Sequence, residues 1–151
     1  MVNITPRDIL IANGAGTFVQ TFNNSTDAVK PGHIVTATGE AAAAAVAWPD
    51  LADDTCVGVV GCAPGHDIDT AYSVGDMMPV YMTGSGAVVW VRLKNGVAAQ
   101  VAGNFLGHDG GTAVNGLAIA GVEGTYEILG RITHWHNTIA AEQWVKVRLS
   151  T

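Results

Sequence analysis

The chain has 151 residues, 48% of them hydrophobic and only 13% charged, with a formal net charge of −6. That length suits one domain with a sizeable core, and an acidic chain with no block of Lys or Arg argues against nucleic acid as a partner, because phosphate neutralisation needs clustered cations. No apolar run approaches the roughly 20 residues of a membrane helix, and Met1-Val2-Asn3-Ile4-Thr5-Pro6-Arg7-Asp8 lacks the basic-then-apolar layout of a signal peptide, so no membrane partner is expected.

Residues 1–28 are polar and turn-rich. Asn13-Gly14-Ala15-Gly16 and Asn23-Asn24-Ser25-Thr26 flank an isolated stretch of strand composition, Thr17 to Phe22. We read this segment as an N-terminal arm or edge hairpin, and residues 29–151 as a β-barrel domain. Pro31-Gly32 makes a turn into a strand over His33 to Ala37. Ala41 to Trp48 has the alanine content of a helix, but it is short and its surroundings are β. Strand is slightly favoured there, and either conformation stays open. Asp50 to Thr55 is an acidic loop.

Cys56 to Leu93 is the most informative stretch. Val57-Gly58-Val59-Val60, then Met77-Met78-Pro79-Val80-Tyr81-Met82, then Ala87 to Leu93 are β-branched and aromatic runs bounded by Gly, Asp and Ser. They predict a meander of strands. Lys94-Asn95-Gly96 signals another turn, Val97 to Leu106 is mixed, and His108 to Gly116 is a Gly-rich loop. Glu127 to Thr133 is a strand, His134 to Ala141 a loop, and Gln143 to Leu149 a closing strand. The whole predicts an all-β fold: a single compact β-barrel or β-sandwich-like domain with an extended N-terminal arm and few or no helices. The low charge, with a mean hydropathy of +0.28, predicts extensive subunit contacts as well as a core.

Two strands echo each other. In Val89-Trp90-Val91-Arg92-Leu93 and Val145-Lys146-Val147-Arg148-Leu149, alternation places Val, Val and Leu on one face. Trp90, Arg92, Trp144, Lys146 and Arg148 fall on the other. A Trp two residues from an Arg suggests either a local cation–π pair on a solvated face or an anchor for protein contact.

Candidate chemistry is sparse. His134-Trp135-His136 would point two imidazoles the same way on an extended segment, with His108, Asp109, His66 or Asp69 as a third ligand. None of the strong zinc spacings is present, so surface histidines are the plainer reading and no cofactor is expected. Asp67-Ile68-Asp69 lacks the rest of a calcium loop, and Cys62 near His66 has no nucleophile context. On one straight strand Cys56 and Cys62 would stand about 20 Å apart at roughly 3.3 Å per residue, beyond the reach of a disulfide. Two buried free thiols are expected, consistent with synthesis inside a cell.

Val29-Lys30-Pro31-Gly32-His33-Ile34-Val35, Val57-Gly58-Val59-Val60, Val74-Gly75-Asp76 to Val80, Ile128-Leu129-Gly130-Arg131 and the terminal Val145 to Leu149 strand together resemble a known family. These are the small capsid decoration, cement or head-stabilising proteins of tailed viruses, and the resemblance covers roughly residues 29–149. It implies a β-barrel and a homotrimer seated on the outer capsid surface of a bacteriophage-type virion. It further implies synthesis in the host cytoplasm, the major capsid protein as partner, and no enzyme activity. On this reading Asn3, Ile4, Thr5, Ile9, Phe18 and Phe22 are capsid contacts, and Trp90, Arg92, Trp135 and Trp144 belong to a subunit interface. Two other classes remain as expectations. One is a carbohydrate- or ligand-binding β-sandwich with Trp135, Trp90 and Tyr72 as a platform beside Asp67 and Asp69. The other is a metal-dependent enzyme using His134, His136 and His108.

Overall fold

The computed structural model describes residues 11–13, 18–23, 28–37, 45–47, 56–94, 101–108, 119–120, 127–133 and 143–150. Every regular element among them is a strand: β1 (Ile11–Asn13), β2 (Phe18–Asn23), β3 (Ile34–Ala37), β4 (Ala45–Ala47), β5 (Cys56–Val60), β6 (Met77–Met82), β7 (Val88–Leu93), β8 (Phe105–His108), β9 (Ile119–Ala120), β10 (Glu127–Ile132) and β11 (Gln143–Leu149). The fold is all-β.

The strands form two sheets. One is six-stranded in the order β1-β7-β11-β10-β8-β9; in the other, β2, β4, β3, β5 and β6 pair in an order that returns to its start. All pairings are antiparallel except β2 with β4, where Phe22 opposes Ala45 and Asn23 opposes Val46. The described part of the alanine-rich stretch is therefore strand: β4 is a short stave whose two-residue pairings link β2 to β3.

Burial explains a feature of the sequence. On β3, β5 and β6, neighbouring residues go to different cores. Ile34, Val59 and Tyr81 pack with Val89, Val91, Leu93, Val145, Val147 and Leu149 of the six-stranded sheet. Val35, Val60, Met78 and Val80 pack with Val29 and Tyr72 in the second core. These strands are covered on both faces, and so they read as unbroken apolar runs. β7 and β11 read as alternating: the outer face of β11 carries the half-buried Trp144 and Lys146 and the exposed Arg148, and that of β7 carries Trp90 and Arg92. Gly58 pairs with Met82 in the β5–β6 ladder, and a Cβ there would run into the Tyr81 carbonyl.

Three expectations change. Cys56 to Leu93 is not one meander: β5 pairs with β6, but β7 leaves for the other sheet and pairs with β11 and β1. The Gly84-Ser85-Gly86 turn carries the chain between sheets. Within the segment expected to be an N-terminal arm or edge hairpin, residues 11–13 lie at the edge of the six-stranded sheet against β7 and residues 18–23 pair along β6, so the two strands belong to different sheets. Residues 1–10 lie outside the described residues. His108, expected to open a loop, ends β8 and is fully buried.

Candidate functional site

The echoing strands are neighbours. In the β7–β11 ladder Trp144 lies opposite Arg92 and Lys146 opposite Trp90. Each cation caps the ring across from it: the Arg92 guanidinium is 4.2 Å from the Trp144 centroid, and the Lys146 ammonium 4.9 Å from that of Trp90. The cation–π pairs thus form across strands and not along one. The reason is distance, since direct cross-strand partners are about 5 Å apart and same-strand neighbours on one face nearly 7 Å.

Arg92 departs furthest from expectation. It is on the outer face yet only 4% exposed, because the 30–33 turn and the 66–72 loop fold over it. Its Nε donates to the Pro31 carbonyl at 2.8 Å, and Nη2 donates to the Ile68 carbonyl at 2.5 Å and to the Asp69 carboxylate at 2.9 Å. Its backbone N–H donates to the Gly32 carbonyl at 3.0 Å. One side chain joins three segments distant in sequence, and these bonds within the chain account for its burial on the outer face. Gly32 is required at this joint: its φ is +86°, and a Cβ would enter the Trp144 ring.

His33 follows at once and is buried. Its Nδ1 accepts the Lys30 N–H at 3.1 Å. Burial, then the neighbouring Arg92 and Lys30 charges, push the imidazole down to about 3, so it is neutral at neutral pH.

The 61–76 loop is organised by Tyr72. Its hydroxyl donates to the Gly61 carbonyl at 3.1 Å and accepts the Ala63 N–H at 2.9 Å. Its backbone N–H donates to the Val29 carbonyl at 2.8 Å. Its carbonyl accepts the Asn23 side-chain amide at 2.9 Å. The His66 ring stacks on it with centroids 3.9 Å apart. At 4% exposure Tyr72 offers no open face to a sugar, and the carbohydrate-binding arrangement loses one of its three rings. Asp67 turns its carboxylate onto the Asp69 N–H at 2.7 Å, while Asp69 pairs with Arg92. Cys62 is half-buried, not buried, with its sulfur 3.0 Å from the His66 carbonyl. The His66 imidazole faces Tyr72 and Thr70 instead, so the two do not form a nucleophile and base.

Replacing Tyr72 by Phe strands the Ala63 N–H and the Gly61 carbonyl, and will lower unfolding free energy by about 1–3 kcal/mol. Urea denaturation checks this. Burial also raises the Tyr72 phenol to about 12, and raises that of Tyr81. Their neutral forms favour the fold below pH 10, and that contribution is lost as pH rises past 10, where the unfolded chain ionises first.

Among the described residues no group of three or more His, Cys, Asp or Glu is placed to hold a metal ion. His134, His136, Trp135 and Asp109 lie outside the described residues, as do Asn3, Ile4, Thr5 and Ile9. Phe18 and Phe22 are on β2, opposite Tyr81 and Met77. Trp90 and Trp144 are half-buried on the outer face. Sequence reasoning missed Asn23 and His33, both buried. Asn23 reads as part of a turn signal and His33 as a strand start, and only the folded chain shows what each bonds to.

Neither a protein-family model nor a curated protein matches the sequence.

Proposed function

We propose that this chain is a structural protein of a tailed-virus particle that binds the outside of an icosahedral capsid, as a homotrimer, and reinforces the shell. The observation that supports this best is where the resemblance falls in the fold. The 29–35 segment enters β3, Val57 to Val60 is in β5, Val74 to Val80 leads into β6, and the last two segments fall in β10 and β11. The motifs that resemble the decoration family thus fall in strands or in the turns that lead into them, in an all-β fold, which supports the β-rich part of what the resemblance implies. Two sheets that pack on one core, with a second core beside it, make a stiff body. Many modest contacts repeated over a lattice yield high avidity without a strong single site. Val74 and Met77, both more than half exposed at the entry to β6, supply apolar surface of the kind subunit contacts use.

The test has two parts. Light scattering behind a sizing column should return about three times 15.6 kDa, and the protein should co-sediment with emptied capsid shells of the virus whose genome carries the gene. Deleting residues 1–10, which precede β1, should weaken co-sedimentation at least tenfold while leaving the melting temperature within a few degrees. Deletion must stop there because β1 and β2 belong to the sheets. No co-sedimentation by the intact chain would end the capsid reading.

A further inference from the structure

We propose that the outer face of β7, β11, β10 and β8 is a docking surface for an acidic polypeptide segment of another protein. One rung across these four strands carries Val88, Arg148, Arg131 and Phe105 in register. Direct cross-strand partners present their side chains on the same face about 5 Å apart. Arg131 and Arg148 are both exposed, so two like charges stand opposite each other, an arrangement that costs stability.

The ion pair among the described residues is Arg92 with Asp69, away from this rung. β7, β8 and β11 contain no Asp or Glu, and the one acidic residue on the four strands is Glu127 at the start of β10, four residues before Arg131. Arg131 and its cationic neighbour Lys146 are held in place. Arg131 lies 4.1 Å over the Phe105 ring and donates to the Gly103 carbonyl at 3.1 Å. On the adjacent rung Lys146 caps Trp90, and both are half-buried. The result is a positioned cationic face interleaved with aromatic rings, on a chain whose net charge is −6.

The charge balance selects the occupant. A long polyanion such as nucleic acid meets the repulsion of the whole molecule. A short run of carboxylates engages only the local face, where guanidinium forks take carboxylates in bidentate pairs and the rings accept the apolar parts of the segment. The face and its chemistry are the same whether or not the partner is a capsid protein.

The experiment uses the full chain and a fluorescein-labelled hexaglutamate peptide, read by anisotropy at low salt, with a labelled oligothymidylate in parallel. An Arg131→Gln, Arg148→Gln double variant should bind the peptide at least about tenfold more weakly. Its melting temperature should be unchanged or higher, because the repulsion is relieved. Raising the salt should weaken binding to the unaltered chain. The proposal is overturned by equal peptide affinity in the double variant, or by tighter binding of the oligonucleotide. A double variant that melts lower would mark the arginines as structural and overturn it as well. Self-association of the unaltered chain that disappears in the variant would make a second copy the occupant and overturn it too.

Discussion

Arg92→Met will lower the unfolding free energy by about 3–4 kcal/mol, whereas Asp69→Asn will lower it by less than about 1 kcal/mol. The two substitutions break the same ion pair, at 2.9 Å, but they remove different things. Asp69 is 70% exposed on its side chain, and a surface carboxylate paired with a cation contributes little once solvent screening is counted. Arg92 instead supplies charged donors to the Pro31 and Ile68 carbonyls and lies on the Trp144 ring. Hydrogen bonds to a charged group are worth about 1.5–3 kcal/mol each, and acceptors left buried add a desolvation cost. Met keeps much of the volume, so little of the loss comes from a cavity. Arg92→Lys should lose nearly as much, because an ammonium cannot reproduce the planar fork. Urea denaturation with a constant m-value measures all three. Equal losses for Asp69→Asn and Arg92→Met would mean that the ion pair, and not the carbonyl bonds, holds the 30–33 turn to β7.

The second large effect is on acid stability. His33 is neutral in the folded protein because burial, then Arg92 and Lys30, hold its imidazole down at about 3 against 6.5 for the free side chain. Above pH 6.5 neither state carries the proton, and His33 has no influence on the pH dependence. Below it the unfolded chain takes up a proton that the folded chain refuses. Stability therefore falls by about 1.4 kcal/mol per pH unit, until the folded imidazole itself protonates near the lower value. Between pH 6.5 and 4 the loss from this group is about 3 kcal/mol. His33→Asn keeps an acceptor for the Lys30 N–H but cannot titrate. Its denaturation midpoint should be lower at pH 7 and much flatter from pH 6.5 down to 4. A variant whose midpoint falls as steeply as that of the unaltered chain would assign the acid sensitivity to other groups.

These two residues show how far the sequence can be read. The strand composition of Val57 to Val60, Met77 to Met82 and Val88 to Leu93 is enough to place strands there, because local β-branched content and bounding turns are short-range signals. The inward faces of β7 and β11 follow from alternation, and Val89, Val91, Val145 and Val147 are buried as the pattern demands. Arg92 sits on the face that alternation assigns to solvent, and there the inference fails. Whether solvent reaches that face depends on the 30–33 turn and the 66–72 loop, which arrive from distant sequence. Tyr72 misleads for the same reason, since an aromatic in a polar loop looks exposed until Asn23, Val29 and Gly61 close around it. The opposed Arg131 and Arg148 are equally invisible in one dimension, as their meeting depends on the β10–β11 register.

Composition and periodicity by themselves determined that this chain is all-β, that its strands are punctuated by glycine turns, and that β7 and β11 each have one apolar face. Those properties come from neighbours two or three residues apart, where side-chain alternation and turn geometry act. Only the tertiary structure decided that β7 crosses to a second sheet, that Ile11–Asn13 and Phe18–Asn23 are parts of the sheets, and that Arg92 and His33 are buried. Those outcomes depend on which surfaces meet once the chain has folded. A hydrogen bond between Arg92 and Pro31 has no signature in either segment alone.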